Sequence, residues 1–503
     1  MTTDITALDY IIFLAFLVGI VLFGCSFYIR ERKSKTQSTG QFTHANGSMP
    51  SWVVGMSIFA TFVSSISFLG YPGEAYTNNW NPFVFSICLP IAAWLAAKLF
   101  VPLYRSMNSV SAYHYLEVRF GYWSRAYVAV CYLLTQLARM GSILFLLALP
   151  LNYMLGWSVP TIIVITGVAV LVFSTLGGIK AVVWTDAIQG IILIVGALAC
   201  AVLLTCQIPG GLGKLVEVGS EYNKFSMGSL SSSLTEKTFW VLLIYGLFTN
   251  LQNYGIDQNY IQRYMTAKDD KAAKNSTLFG GLLYVPVSLL FVYIGTALFV
   301  YYKTAGTLPA DVAGDKVFPY FIVNNLPTGV TGLMIASILA AGMSTVSTSL
   351  NSASTIILTD FVKHFKPDLS EKKGMAVLYG TSVLLGVLGV VVALLMMGVD
   401  GVLDTWWKLA SIFSGGMLGL FLLGFVCKKA SRPAAMAGVV VGLLVIAWMS
   451  LSQYIFKGSL EPFACRLNGN LTIVLGTMAI FVVGFLVTVL LGSPKADSKT
   501  IQE

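Results

Sequence analysis

The chain has 503 residues, of which 56% are hydrophobic and only 11% charged, with a net charge of +9 and a mean hydropathy of +0.78. A soluble core cannot absorb that much apolar surface, so the composition excludes a water-soluble domain and requires a lipid bilayer as solvent. The excess of positive charge then reads as a topology signal and a match to anionic lipid, and nucleic-acid binding is unsupported.

A spanning helix needs about 20 mainly apolar residues. Thirteen such segments are predicted, beginning near Leu8, Trp52, Pro82, Arg125, Val159, Ala181, Thr238, Ser276, Gly329, Gly374, Asp404, Ala434 and Leu471. The first, Leu8 to Ile29, is long enough to span and lacks a basic stretch before it, so it is not read as a cleaved signal peptide. Residues 1–503 are expected to form one integral membrane domain.

The second segment, MSIFATFVSSISFLGYPGEAY, places Thr61, Ser64, Ser65 and Ser67 in mid-membrane, with Gly70, Pro72 and Gly73 beyond them. Such a span is expected to be interrupted, because unwound backbone is tolerated at membrane depth only where it lines a protein cavity, and there its carbonyls bind cations. The fourth segment carries Arg139 about fourteen residues into the span, too deep to snorkel easily. A guanidinium there reads either as a fork for an anionic substrate or as half of an ion pair with an acidic helix residue.

Gly177 to Gly190, GGIKAVVWTDAIQG, carries Asp186 into an apolar helix past Lys180. A carboxylate inside a span costs about 2.5 to 3.5 kcal/mol on insertion scales and marks ion or substrate pathways. Asp186 is a candidate for cation coupling, the alternative being a hydrated carboxylate or a pair with Lys180. The seventh segment, FWVLLIYGLFTNLQNYGIDQNY, is also expected to be interrupted, at Gly246, Thr249, Asn250, Gln252, Asn253 and Gly255. The two interrupted spans lie five segments apart, the spacing of discontinuous helices in an inverted repeat of two five-helix halves. The ninth has eight Ser or Thr among the twelve residues from Ser344 to Thr355. Ser344, Ser347 and Thr348 share one helical face and offer hard neutral oxygens, suited to a weakly held monovalent cation rather than to Ca²⁺.

Lys and Arg in the joints set the orientation: 21 fall on one side, including Arg105 to Arg125 and Arg263 to Lys274, against 7 on the other, with Lys98, Arg139 and Lys408 inside helices. The basic side faces the cytoplasm, so the N-terminus is expected outside and the C-terminus inside a cell (inner) membrane. Six cysteines read as packing residues; Cys465 falls in an external loop without an obvious partner. The three histidines form no metal-ligand pattern.

A channel would want a continuous polar pore, a primary pump a nucleotide site, and an intramembrane enzyme a nucleophile with a base; none of these patterns is present in the sequence. A sodium-conducting channel and a transporter-like sensor remain the readings from other classes.

GGIKAVVWTDAIQG, DQNYIQRYMTAKD, the Ser/Thr run after AAGM, and GGMLGLFLLGFVCKKAS together resemble the sodium/solute symporter family over nearly the whole chain. The resemblance implies an all-α LeuT-type core of ten helices in a 5+5 inverted repeat (49–425), one extra N-terminal helix (8–29), two C-terminal helices (434–492) and a cytoplasmic tail (493–503). It also implies Na⁺-driven symport by alternating access. FATFVSSISFLGYPGEAYTNNW is similar to the bacterial sialic acid symporters. By that resemblance, the sodium site shared across the family would use carbonyls of Ala60, Val63 and Ala341 with hydroxyls of Ser344 and Thr345. A second would use Asp186, Ser344, Ser347 and Thr348. The substrate carboxylate would meet Arg139, assisted by Ser64, Ser65 and Ser67. Ser86 stands where that branch has a glutamine and Pro82 where it has an aromatic. The expected cargo is a small organic anion, foremost sialic acid, with a monocarboxylate or neutral sugar as alternatives and Asn250 and Asn253 as candidates for reading hydroxyls. Lipid is the surrounding partner; no obligate protein partner is inferred.

Overall fold

The computed structural model describes residues 5–310, 312, 314–398 and 409–491; Lys408, the start of the eleventh span at Asp404 and the tail from residue 492 lie outside them. All named elements of regular structure are helices. Ten are long and apolar enough to cross a membrane, or eleven if the bent pair Ser51–Phe62 and Ser67–Thr77 counts as one span. The expected count of thirteen is not reached, for two physical reasons. Val159–Gln207 runs as one 49-residue element through the expected boundary, broken only at Gly178 (φ 57°, ψ −159°). Phe239–Ile256, the expected seventh span, falls out of the tally because Thr249, Asn250, Gln252 and Asn253 dilute its apolarity.

The helix Val330–Phe365 is the centre of the molecule: 89% of its most apolar window is buried, against 28% for both Ala7–Ser34 and Glu371–Gly398. Those two outer helices show Leu22, Ile29, Leu384 and Leu395 to the surroundings, as lipid requires. Asp9 ties the periphery to the centre. Thr6 and Asp9 form a capping box at the start of Ala7–Ser34, and Asp9 Oδ1 also accepts the N–H groups of Gly329 at 2.7 Å and Gly332 at 2.8 Å. These donors sit at the N-terminus of Val330–Ile356, where free N–H groups favour a negative charge. Glycine is needed at 332, since a Cβ there would stand 2.7 Å from the Asp9 backbone.

Both expected interruptions exist, but the second lies elsewhere. Ser51–Phe62 ends at Val63 and Ser64, which are extended, and Ser65–Thr77 resumes the span at an angle of 51°. Phe239–Ile256 is helical straight through Gly246 to Gly255 and breaks only at extended Asp257, before Gln258–Thr266. The small and amide residues do not unwind this helix because the third span takes them up. Asn250 Nδ2 donates to Phe85 O at 2.9 Å, and a Cβ on Gly246 would lie 3.0 Å from the Phe85 backbone. Close packing explains them.

Cys465 is buried, its N–H donating to Ser452 Oγ at 2.8 Å and its carbonyl accepting from Gln453. It is a packed loop residue.

Candidate functional site

The break at Val63 and Ser64 releases carbonyls that a continuous helix would occupy, and the structure turns them two ways. Ala60 O accepts Ser344 Oγ at 3.0 Å, and Ala341 O accepts Ser344 Oγ at 3.3 Å and Thr345 Oγ1 at 3.1 Å. Four of the five groups expected to share a sodium ion are thus already in contact, and Val63 is the extended residue at the break. In the other direction, Thr61 O accepts Arg139 Nη2 at 3.4 Å. One unwound turn therefore joins the oxygen cluster to the arginine.

Asp186 is fully buried, and its partner is neither water nor Lys180. Oδ2 accepts Arg263 Nη2 at 2.6 Å and Ser57 Oγ at 2.7 Å, with Thr348 Oγ1 at 3.5 Å. Arg263, counted by its position among cytoplasmic joint residues, has no exposed side-chain surface. It donates further to Ser57 Oγ, Asn259 O and Thr348 Oγ1. The Gln258–Thr266 helix inserts it into the core beside the broken span. Asp186 Oδ1 has no hydrogen-bond partner among the described residues. The carboxylate thus has one oxygen committed to a guanidinium and two hydroxyls, and one left over. Ser347 is nearby but donates to Ser344 O at 3.1 Å. Of the expected second set, Asp186 meets Thr348 and Ser347 meets Ser344, with a cation already built in beside Asp186 that the sequence alone did not reveal. The signal was the R of QNYIQRYMT, one turn after Asn259.

Arg139 forms no ion pair within 4.0 Å among the described residues. It lines a cavity of about 630 Å³ together with Ser64, Ser67, Gln136, Asn253 and Asp257. Ser64 Oγ also caps the second half of the broken span through the Ser67 N–H. Ser65, Ser86 and Asn250 are buried outside the cavity lining, so three expected substrate contacts stand off it; Asn250 is spent on Phe85. Helical geometry fits this for Ser65, which falls between the lining residues Ser64 and Ser67 without lining the cavity itself. Gln136, Asp257 and Tyr260 line the cavity without having been expected there.

The cavity extends to Lys237 and to Asn468, Gly469 and Asn470, so it opens toward the face bearing those joints. The joint that carries Arg125 is tied together by charge. Arg125 Nη2 meets Asp360 Oδ1 at 2.8 Å and Arg125 Nη1 meets Glu117, while Ser111 Oγ donates to Asp360 Oδ2 at 2.7 Å. Burial alone would push the Glu117 carboxyl up, but the Arg125 hydrogen bond and charge outweigh it and hold it below the usual glutamate range.

A central Ser/Thr-rich helix, two broken spans and a cavity beside them define a membrane transporter. The profile of the sodium:solute symporter family matches residues 42–442, and the chain belongs to that family. It is 31% identical to the sodium/sialic acid symporter NanT of Aliivibrio fischeri over 95% of this chain and 92% of that protein. Identity to the human sodium-coupled monocarboxylate transporter 2 is 30%, over 89% and 73%. The structure of a Na⁺-coupled sialic acid symporter in a substrate-bound outward-open state matches with a TM-score of 0.88 at 29% identity, covering 97% of this chain and 98% of that one. The nucleobase-cation symporter Mhp1 shares the fold, with a TM-score of 0.60 at 16% identity, over 91% and 97%. The fold is LeuT-like, the protein is a transporter and not an enzyme, and Na⁺ is its coupling ion.

Proposed function

We propose that this protein imports a sugar acid of the sialic acid class together with Na⁺, binding the substrate carboxylate at Arg139 with Ser64 and Ser67 beside it. The observation that carries the reading is a deep guanidinium that faces a cavity with only one backbone carbonyl on it. Arg binds carboxylates by two parallel hydrogen bonds, and a half-buried arginine with spare donors toward a cavity favours an anion. Relatives in the sialic acid branch support the choice of substrate.

Sodium is assigned to Ala60, Val63, Ala341, Ser344 and Thr345, and a second ion to Asp186 with Ser344, Ser347 and Thr348. The unpartnered Asp186 Oδ1 supports the second site, since an orphaned buried oxygen is costly unless something occupies it. The bias of 21 against 7 basic residues supports a cytoplasmic C-terminus, an external N-terminus and a cavity opening outward. The test is uptake in proteoliposomes under an imposed sodium gradient, comparing sialic acid with its methyl ester. The acid should be taken up and the ester rejected; equal handling of the two excludes carboxylate recognition.

A further inference from the structure

Arg139 is not the sole charge in the cavity. Asp257 lines it as well, at the break between Phe239–Ile256 and Gln258–Thr266. Its Oδ1 accepts the Asn259 N–H at 2.8 Å, which caps the following helix. Beyond Asn259, no group among the described residues hydrogen-bonds this carboxylate, and among them Asp257 makes no ion pair within 4.0 Å. Arg139 acts on it by charge without touching it. A second polar group faces the same space. Gln136, one turn before Arg139 on the same helix, is 1% exposed and lines the cavity. Its Oε1 accepts Asn259 Nδ2 at 3.2 Å, and its Nε2 is buried with no partner. Asn259 is in turn held by Tyr132 OH at 2.9 Å. Asp257 and Gln136 are therefore oriented by one network while each keeps an unused group.

We infer that Asp257 is a specificity-determining residue that accepts hydrogen bonds from hydroxyl or amide N–H groups of the substrate, with Gln136 donating to a neutral oxygen of the same molecule. This rests on the carboxylate reading of Arg139 and narrows it. A carboxylate beside the anion site repels a second negative charge and is satisfied only by donors. The cavity thus selects a monoanion that carries hydroxyl or amide groups away from its carboxylate. Dicarboxylates are rejected, and plain monocarboxylates leave Asp257 and Gln136 unpaired. Sites built to bind a polar group discriminate strongly against analogues that lack it.

The bland role of Asp257 is the helix cap alone, and Asp257→Asn separates the two because asparagine caps about as well as aspartate. The experiment measures competition against labelled sialic acid in proteoliposomes, using sialic acid, its methyl ester, a plain monocarboxylate and a dicarboxylate. In the Asp257→Asn protein, sialic acid should weaken roughly tenfold or more, the plain monocarboxylate should change little, and the penalty on the dicarboxylate should shrink. The preference for acid over ester should persist, because Arg139 is untouched. Gln136→Met should weaken sialic acid and leave the plain monocarboxylate unchanged, giving a second reading if Asp257→Asn folds poorly. Equal losses for all acids would mark Asp257 as purely structural and overturn the inference. If the wild-type protein fails to distinguish acid from ester, the Arg139 reading itself falls and takes this one with it.

Discussion

Arg139 and Asp186 illustrate how differently two charges within membrane spans can be resolved. Arg139 keeps spare donors toward a cavity, so its replacement should be read in substrate affinity. Arg139→Lys is expected to lose much of the affinity although the charge remains, since an ammonium cannot make the two-pronged contact. Arg139→Ala should cost about 2 to 5 kcal/mol, or roughly 30- to 5,000-fold, in equilibrium binding. Unchanged binding of sialic acid to either variant would remove Arg139 from recognition. Asp186 is different because Arg263 lies 2.6 Å away and both are fully buried. Asp186→Asn should weaken sodium dependence, with the Hill coefficient falling toward one, but it also strands a buried guanidinium. Breaking such a pair typically costs about 3 to 5 kcal/mol of stability. The pair can be tested as a unit: Asp186→Asn with Arg263→Gln should recover most of the lost thermal stability without restoring the second sodium ion. If the double variant regains wild-type sodium cooperativity, Asp186 is structural only.

Among the elements, the long Val159–Gln207 helix depends most visibly on one residue. Gly178 has φ 57°, a conformation that costs side-chain-bearing residues roughly 1 kcal/mol or more. A Cβ at that position would also lie 3.0 Å from the Phe42 Cα, a backbone atom that cannot swing aside. Gly178→Ala is therefore expected to lower the melting temperature in detergent clearly, with a control Gly19→Ala, where nothing lies within 4 Å, leaving it nearly unchanged. Similar melting of both variants would show that the kink is tolerant. The second span was legible as interrupted because serines, glycines and a proline replace leucine there. In the Phe239–Ile256 helix the same composition misled about the position of the break, since Gly246 and Asn250 serve contact with Phe85. Packing of small residues and unwinding draw on the same amino acids.

For the whole molecule, a cavity reaching the Lys237 joint and ion pairs that tie together the Arg125 joint are what alternating access needs at its two ends. Two Na⁺ with one monoanion move one net positive charge, so about 150 mV alone supplies about 3.5 kcal/mol, or roughly 300-fold accumulation. Uptake should collapse when potassium replaces sodium, even across a proton gradient, and should generate inward current. Proton-driven uptake of equal size without sodium would contradict the assignment. The closure at Arg125, Glu117 and Asp360 should weaken in Asp360→Asn, which removes a charge that Arg125 holds at 2.8 Å. Cysteine labelling from the Glu117 face should then reach deeper positions along Val330–Phe365 in this variant than in wild type. Unchanged labelling would place the gate elsewhere.

Sequence alone determined the membrane class, the first interrupted span, the oxygen-rich central helix and the two singular charges Arg139 and Asp186. These are legible because lipid penalises polar groups so heavily that each one kept must have a use. What tertiary structure decided is which polar groups meet. Arg263 looks like a joint residue beside Lys268 to Lys274, yet the break at Asp257 redirects its helix inward to Asp186. Ser65, Ser86 and Asn250 look like lining residues, yet they lie outside the cavity lining, while Gln136 and Asp257 belong to it. A residue's cost in the bilayer depends on its chemistry and can be read from the chain. Its partner depends on the relative rotation of helices distant in sequence, and only packing sets that.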